Sequence, residues 1–264
     1  MWPREHGAWS MLAQPFLCAL ILARSFHWSV VVAAAAVVTA FLMREPLVVL
    51  ARQRFVWRER KPETAVAKRW LAWEALLLAA ASAALPLRWP WAFLLIMGAG
   101  TVLLTSAAVW MTVRNLQRST WLQLTSAAAL SATGLAACVS ATGELRPWVW
   151  PLWAMTAAHA AAGILVVHAR LEARIATRNR KPLAPRFRFP AQAMQGVLLA
   201  GALLCIGTGR IALSGALLLS AAVHLWDLHS LTKAGSLATP LTTIGLRAMN
   251  LSIVVSALVV YGLW

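Results

Sequence analysis

The chain has 264 residues, 61% hydrophobic and only 12% charged, with a mean hydropathy of +0.70. A soluble domain carries about 25% charged residues, so this composition excludes a water-soluble globule and makes lipid the solvent for most of the apolar surface. The formal charge of +16 comes from 24 Lys and Arg against 8 Asp and Glu; these cations sit between apolar runs, which points to anionic lipid headgroups as partners and away from nucleic acid.

The first stretch, Trp2 to Phe16, is the one place where several polar groups lead straight into an apolar run. It lacks a basic n-region and a persuasive cleavage site, so it does not read as a cleavable signal peptide. Glu5 and His6 precede the first span, Gly7 permits close approach, and Trp9 falls at interfacial depth. Gln14 and Pro15 are expected to interrupt the first helix, because proline frees a backbone carbonyl that a neighbour must satisfy. Two roles fit: an interfacial cap with a kink, or the lining of a cytoplasmic cavity in which His6 exchanges protons.

A hydrocarbon core of about 30 Å needs roughly 20 helical residues. That ruler gives nine spans, at about 8–24, 28–47, 71–87, 90–112, 121–141, 148–168, 192–207, 210–227 and 242–262. The first two and the seventh and eighth read as helical hairpins. The expected fold is one all-α, polytopic transmembrane bundle over residues 1–264, with basic cytoplasmic loops at 48–70 and 169–191. On this count 19 basic residues fall on one side and only Arg24, Arg88, Arg146 and Arg210 on the other. The asymmetry places the N-terminus in the cytoplasm of a bacterial inner membrane. Most of the 15 tryptophans lie near span ends, as amphipathic rings at the headgroup zone do. Runs of Ala, Ser, Thr and Gly within the spans predict close helix packing.

Further along, Glu74 lies inside the third span, where an acid is costly and is expected to pair with Arg69 or another Arg. Arg114, Asn115 and Arg118 cluster after the fourth span and, with Glu5 and His6, suit a shared polar vestibule. His159 and His168 suit core hydrogen bonding. Arg170, Arg174 and Arg178 recur every four residues and form one stripe if the sixth helix continues, suited either to phosphate or to lipid contact. His224, Asp227 and His229 end the eighth span, with the first two on one face; a metal would need a third convergent ligand. Arg247 and Asn250, near the cytoplasmic end of the last span, are candidates for a buried role. Cys18, Cys138 and Cys205 sit in apolar runs without metal or disulfide spacing. No metal or cofactor is implied.

The opening Pro-Arg-Glu-His-Gly-Ala-Trp-Ser-Met-Leu, followed by Pro-Phe, resembles the YwiC-like family of bacterial membrane proteins. Looser similarities are Asn115 to Arg118 leading into Leu124-Thr125-Ser126, Ala160 to Arg180, and Thr239-Pro240-Leu241 through Asn250. The family has no firmly assigned activity. It tends to carry Asn-Arg-Glu-Arg after the fourth helix and then an Asn-Asp pair; this chain has Asn115, Leu116, Gln117 and Arg118, then Leu122 and Gln123. The helix layout is also similar to UbiA-type intramembrane prenyltransferases, which hold Mg²⁺ on Asp-rich loops. Here the single aspartate is Asp227, outside both major loops, and Glu45, Glu59, Glu63 and Glu172 lack the required spacing, which disfavours Mg²⁺-dependent transfer. The resulting expectation is a membrane protein that binds an anionic, lipid-like or phosphorylated ligand through Glu5, His6, Trp9, Gln14, Arg114, Asn115, Arg118, Arg247 and Asn250. A diverged lipid-substrate transferase and a small-solute or anion transporter are the alternatives. Transport would be favoured by an internal repeat with matched broken helices, and Pro15 has only a partial counterpart in Pro151.

Overall fold

The computed structural model describes residues 6–59, 61–116, 119–180, 184–231 and 234–264, with the side chains of His6, Ala234, Ser236 and Leu241 outside the description. The described elements are all helical: α1 (His6–Ala23), α2 (Trp28–Arg52), α3 (Glu63–Ala84), α4 (Trp91–Val113), α5 (Thr120–Ser131), α6 (Thr133–Thr142), α7 (Val149–Arg178), α8 (Pro185–Gly207), α9 (Ile211–Ser230), the short α10 (Ala234–Leu237) and α11 (Leu241–Leu263). Eight helices among the described residues, counting α5 with α6 as one, have the length and apolarity to cross a membrane, and α1 is a shorter apolar helix. The protein is thus a multi-pass membrane protein.

Helix ends follow local chemistry. His27 precedes α2 in extended conformation and its ring accepts from the Ser29 N–H, an N-cap role. Pro90 and Pro240 immediately precede α4 and α11. Several helices stop at left-handed residues: Arg24, Arg58, Asn115, Gly143, Arg180 and Gly209. After α4 the Leu116 N–H reaches the Met111 carbonyl at 2.8 Å, and after α8 the Arg210 N–H reaches Cys205 at 2.8 Å, the bonds of a helix closed by a reversed turn.

Three sequence expectations change. Helix α1 runs unbroken through the buried Pro15; the Thr133 hydroxyl donates to the Leu12 carbonyl at 2.8 Å in the turn that proline loosens. The basic loops expected at 48–70 and 169–191 are largely helix. A π-helical turn, Gln53–Trp57, extends α2, Lys68 and Arg69 lie in α3, and Arg170, Arg174 and Arg178 lie in α7. Leu, Ala, Glu, Lys and Arg are good helix formers, and the long basic side chains still reach water from a helix end. Glu74, expected to pair with an arginine, is buried, and neither carboxylate oxygen has a hydrogen-bond partner among the described residues.

The chain forms two compact units, residues 1–149 and 150–264. In the first, α1 packs on α5 and α6, and α2 packs on α3, α4 and α6. Small residues make the close approach, with Ala19, Ala33, Ala136 and Ala137 fully buried. The final carbonyls of α6 take side-chain donors: Ser29 to Ser140 at 2.8 Å, Ser25 to Ala141 at 3.3 Å and Arg88 to Ala141 at 3.2 Å. The Trp89 indole donates to the Ser140 hydroxyl at 2.9 Å, so this tryptophan is a buried strut, unlike the exposed Trp91, Trp121 and Trp226. In the second unit α8 and α11 both pack on α9.

Candidate functional site

In the second unit, polar residues recur on the inward faces of three apolar helices. Ser220, His224 and Asp227 stand at i, i+4 and i+7 on α9, one face of a helix. His159, Gly163, Val166 and Arg170 repeat the pattern on α7. His159 bridges two helices: Nδ1 is 2.8 Å from the Ser220 hydroxyl on α9 and Nε2 is 2.9 Å from that of Ser252 on α11. In a neutral ring one nitrogen donates and the other accepts, so the serines take opposite roles. The His224 ring lies 5.8 Å from that of His159.

Toward the C-terminal ends of α7 and α9 the stripe becomes charged. Arg170 is 4% exposed. One turn later Arg174 donates from Nε to the Leu237 carbonyl at 2.8 Å and from Nη2 to the Thr239 carbonyl, which pins the segment leading into α11. Arg247, one to two turns into α11, pairs through Nη2 with Oδ1 of Asp227. The Asp227 side chain is 10% exposed and that of Arg247 46%, so the guanidinium keeps an open side.

These groups line a half-open chamber of about 140 Å³, walled by Arg170, Asp227, Arg247, Thr239 and Thr243. The space would hold several waters or a small anionic headgroup. Two cations stand here against one carboxylate, and the first N–H groups of α11, next to Thr243, lack intrahelical partners and carry the positive end of the helix dipole. A narrower pocket of about 30 Å³ shares Arg170, Asp227 and Arg247, and its wall is otherwise mostly apolar, with Val166, Val223 and Leu251 around His224. Among the described residues no three His, Cys, Asp or Glu side chains gather as a metal set.

The residues singled out in the sequence fall in both units. Glu5 and Arg118 lie outside the described residues, and so does the His6 side chain. Trp9 packs edge-on against Phe41, centroids 5.0 Å apart, and Gln14 is half-buried in α1. Arg114 is exposed and lies 4.4 Å over the Trp110 ring, an interfacial cation–π contact. Asn115 takes φ +59° after α4, a conformation asparagine tolerates better than most residues. In the second unit Arg247 reaches the chamber while Asn250 is exposed. Sequence reading missed Thr239 and Thr243 as chamber residues and left Arg170 open between phosphate binding and lipid contact. The available signal was the alignment of His159, Gly163 and Arg170 with the repeat on α9.

A family model described as YwiC-like protein matches residues 2–138, a range that ends within α6. The chamber therefore lies beyond the matched range. No curated protein and no solved structure matches the chain.

Proposed function

We propose that this chain, which belongs to the YwiC-like family, holds the phosphate of an amphiphilic ligand in the chamber bounded by α7, α9 and α11. One observation carries the reading: Arg170, Arg247 and the N-terminus of α11 converge on a space that continues inward along apolar walls. Arginine presents a planar fork suited to phosphate, and Asp227 keeps Arg247 oriented while leaving part of it exposed. The apolar continuation suits the first carbons of a hydrocarbon chain better than a free polar solute.

The basic residues near the chamber end of α7 and the start of α8 support a cytoplasmic location in the inner membrane. Transport is the weaker reading. Below His159 large apolar side chains, Leu152, Leu213 and Val259 among them, fill the interior around the hydroxyls of Thr156, Ser214 and Ser256, and no charged side chain is buried there among the described residues.

Native mass spectrometry of gently purified protein tests the proposal. Wild type and Arg210→Gln, which changes an arginine at the far end of α9, are expected to carry a phosphorylated species that Arg247→Gln loses. If all three carry the same bulk phospholipids, the chamber is not a ligand site.

A further inference from the structure

The inner pocket holds a polar group that the phosphate reading leaves unused. His224 is 5% exposed, yet neither ring nitrogen has a hydrogen-bond partner among the described residues. Its neighbour His159 spends both nitrogens on Ser220 and Ser252, so the two rings touch without bonding. A buried polar group left unsatisfied is destabilising, and buried polar atoms in folded proteins are almost always paired. His224 lines the pocket that shares Asp227 and Arg247 with the chamber. A partner for its vacant nitrogens can therefore be sought in that pocket. Gly163 lies beside the ring: a Cβ there would make ordinary contact with the imidazole Cε1 at 3.8 Å.

Along α9, His224 is three residues from Asp227, a rise of about 4.5 Å. A phosphate at Arg247 and a group at His224 are thus separated by roughly one helical turn, which a short carbon linker spans. The pocket is lined by Val166, Val223 and Leu251 as well as by Arg170, Asp227 and Arg247; its apolar part suits an uncharged oxygen at the ring, with hydrocarbon beyond it. A neutral imidazole can meet a carbonyl with its N–H or a hydroxyl with either nitrogen.

We propose that His224 is a specificity-determining residue that hydrogen-bonds an ester carbonyl or hydroxyl set one linker inward from the phosphate, so that the ligand class is a phosphorylated glycerolipid and not a simple alkyl phosphate. This rests on the chamber reading above.

The test is competition between two probes for the full-length protein by native mass spectrometry. Dioleoyl phosphatidic acid carries a phosphomonoester and ester carbonyls; hexadecyl phosphate carries the same phosphomonoester on a plain chain. Wild type is expected to prefer phosphatidic acid about tenfold, the scale of one net hydrogen bond. His224→Leu and His224→Phe, two apolar replacements of different size in case one does not fold, are expected to bind both probes equally. His224→Gln should restore part of the preference. Equal binding of the probes by wild type, a preference that survives in the apolar variants, or a glutamine variant no better than leucine overturns the assignment while leaving the chamber intact. Failure of wild type to retain either probe, or unchanged binding by Arg247→Gln, overturns the chamber reading along with it.

Discussion

His159 holds two helices through a single ring. Ser220 is fully buried and Ser252 approaches from α11, and each hydroxyl takes one ring nitrogen. An apolar replacement deletes two hydrogen bonds and takes the ring partner from the fully buried Ser220 hydroxyl, whereas removing all three polar groups takes the need for that partner away as well. His159→Leu is therefore expected to lower stability by about 1–3 kcal/mol. Adding Ser220→Ala and Ser252→Ala should recover most of that loss, in strong violation of additivity. Denaturant unfolding in detergent reads both values; additive losses in the triple variant would show that the serines do not depend on the ring. His224, one turn along the same stripe, differs because its nitrogens await a partner.

Among the elements, helix ends are set by single residues. α6 closes at Gly143 with φ +86°, where a side chain would also meet the Arg88 guanidinium at 3.1 Å. That guanidinium in turn donates to the Ala141 carbonyl. Gly143→Ala is expected to cost about 1–2 kcal/mol, the penalty of the left-handed conformation for an L-residue. Thermal unfolding beside Gly7→Ala, which meets open space, isolates the effect. The spans themselves were legible because an apolar run of the right length has one solution in a bilayer. The predicted starts at 71 and 192 fall inside α3 and α8, which begin at Glu63 and Pro185, since hydropathy marks where lipid ends and not where a helix does. The chamber was much less legible. Asp227 and Arg247 are twenty residues apart, and only the turn through α10, pinned by Arg174, brings them together. Arg170 carries the same sequence signature as an orienting cation, and nothing local distinguishes a buried arginine from a lipid-facing one.

For the whole molecule, orientation rests on α1. With 18 residues it is about 27 Å long, slightly short of a core of about 30 Å, and modest local thinning makes up the difference. If α1 crosses, the helices alternate so that the ends of α2, α7 and α9 share a face with the N-terminus, and the turn at Glu144 faces the other way. The basic residues of α2, α3, α7 and α8 then gather on one side, which the cytoplasmic preference for Lys and Arg favours. Cys18 and Cys138 are buried, so a Cys205→Ala background suits labelling with a membrane-impermeant maleimide. Glu144→Cys is expected to react on intact cells, while Gly7→Cys and Arg178→Cys react only after permeabilisation. Labelling of Gly7→Cys together with Glu144→Cys would mean that α1 enters the membrane without crossing it, leaving the chamber on the cytoplasmic face. Labelling of Arg178→Cys on intact cells would place the chamber outside, and a cytoplasmic ligand would then have no route to it.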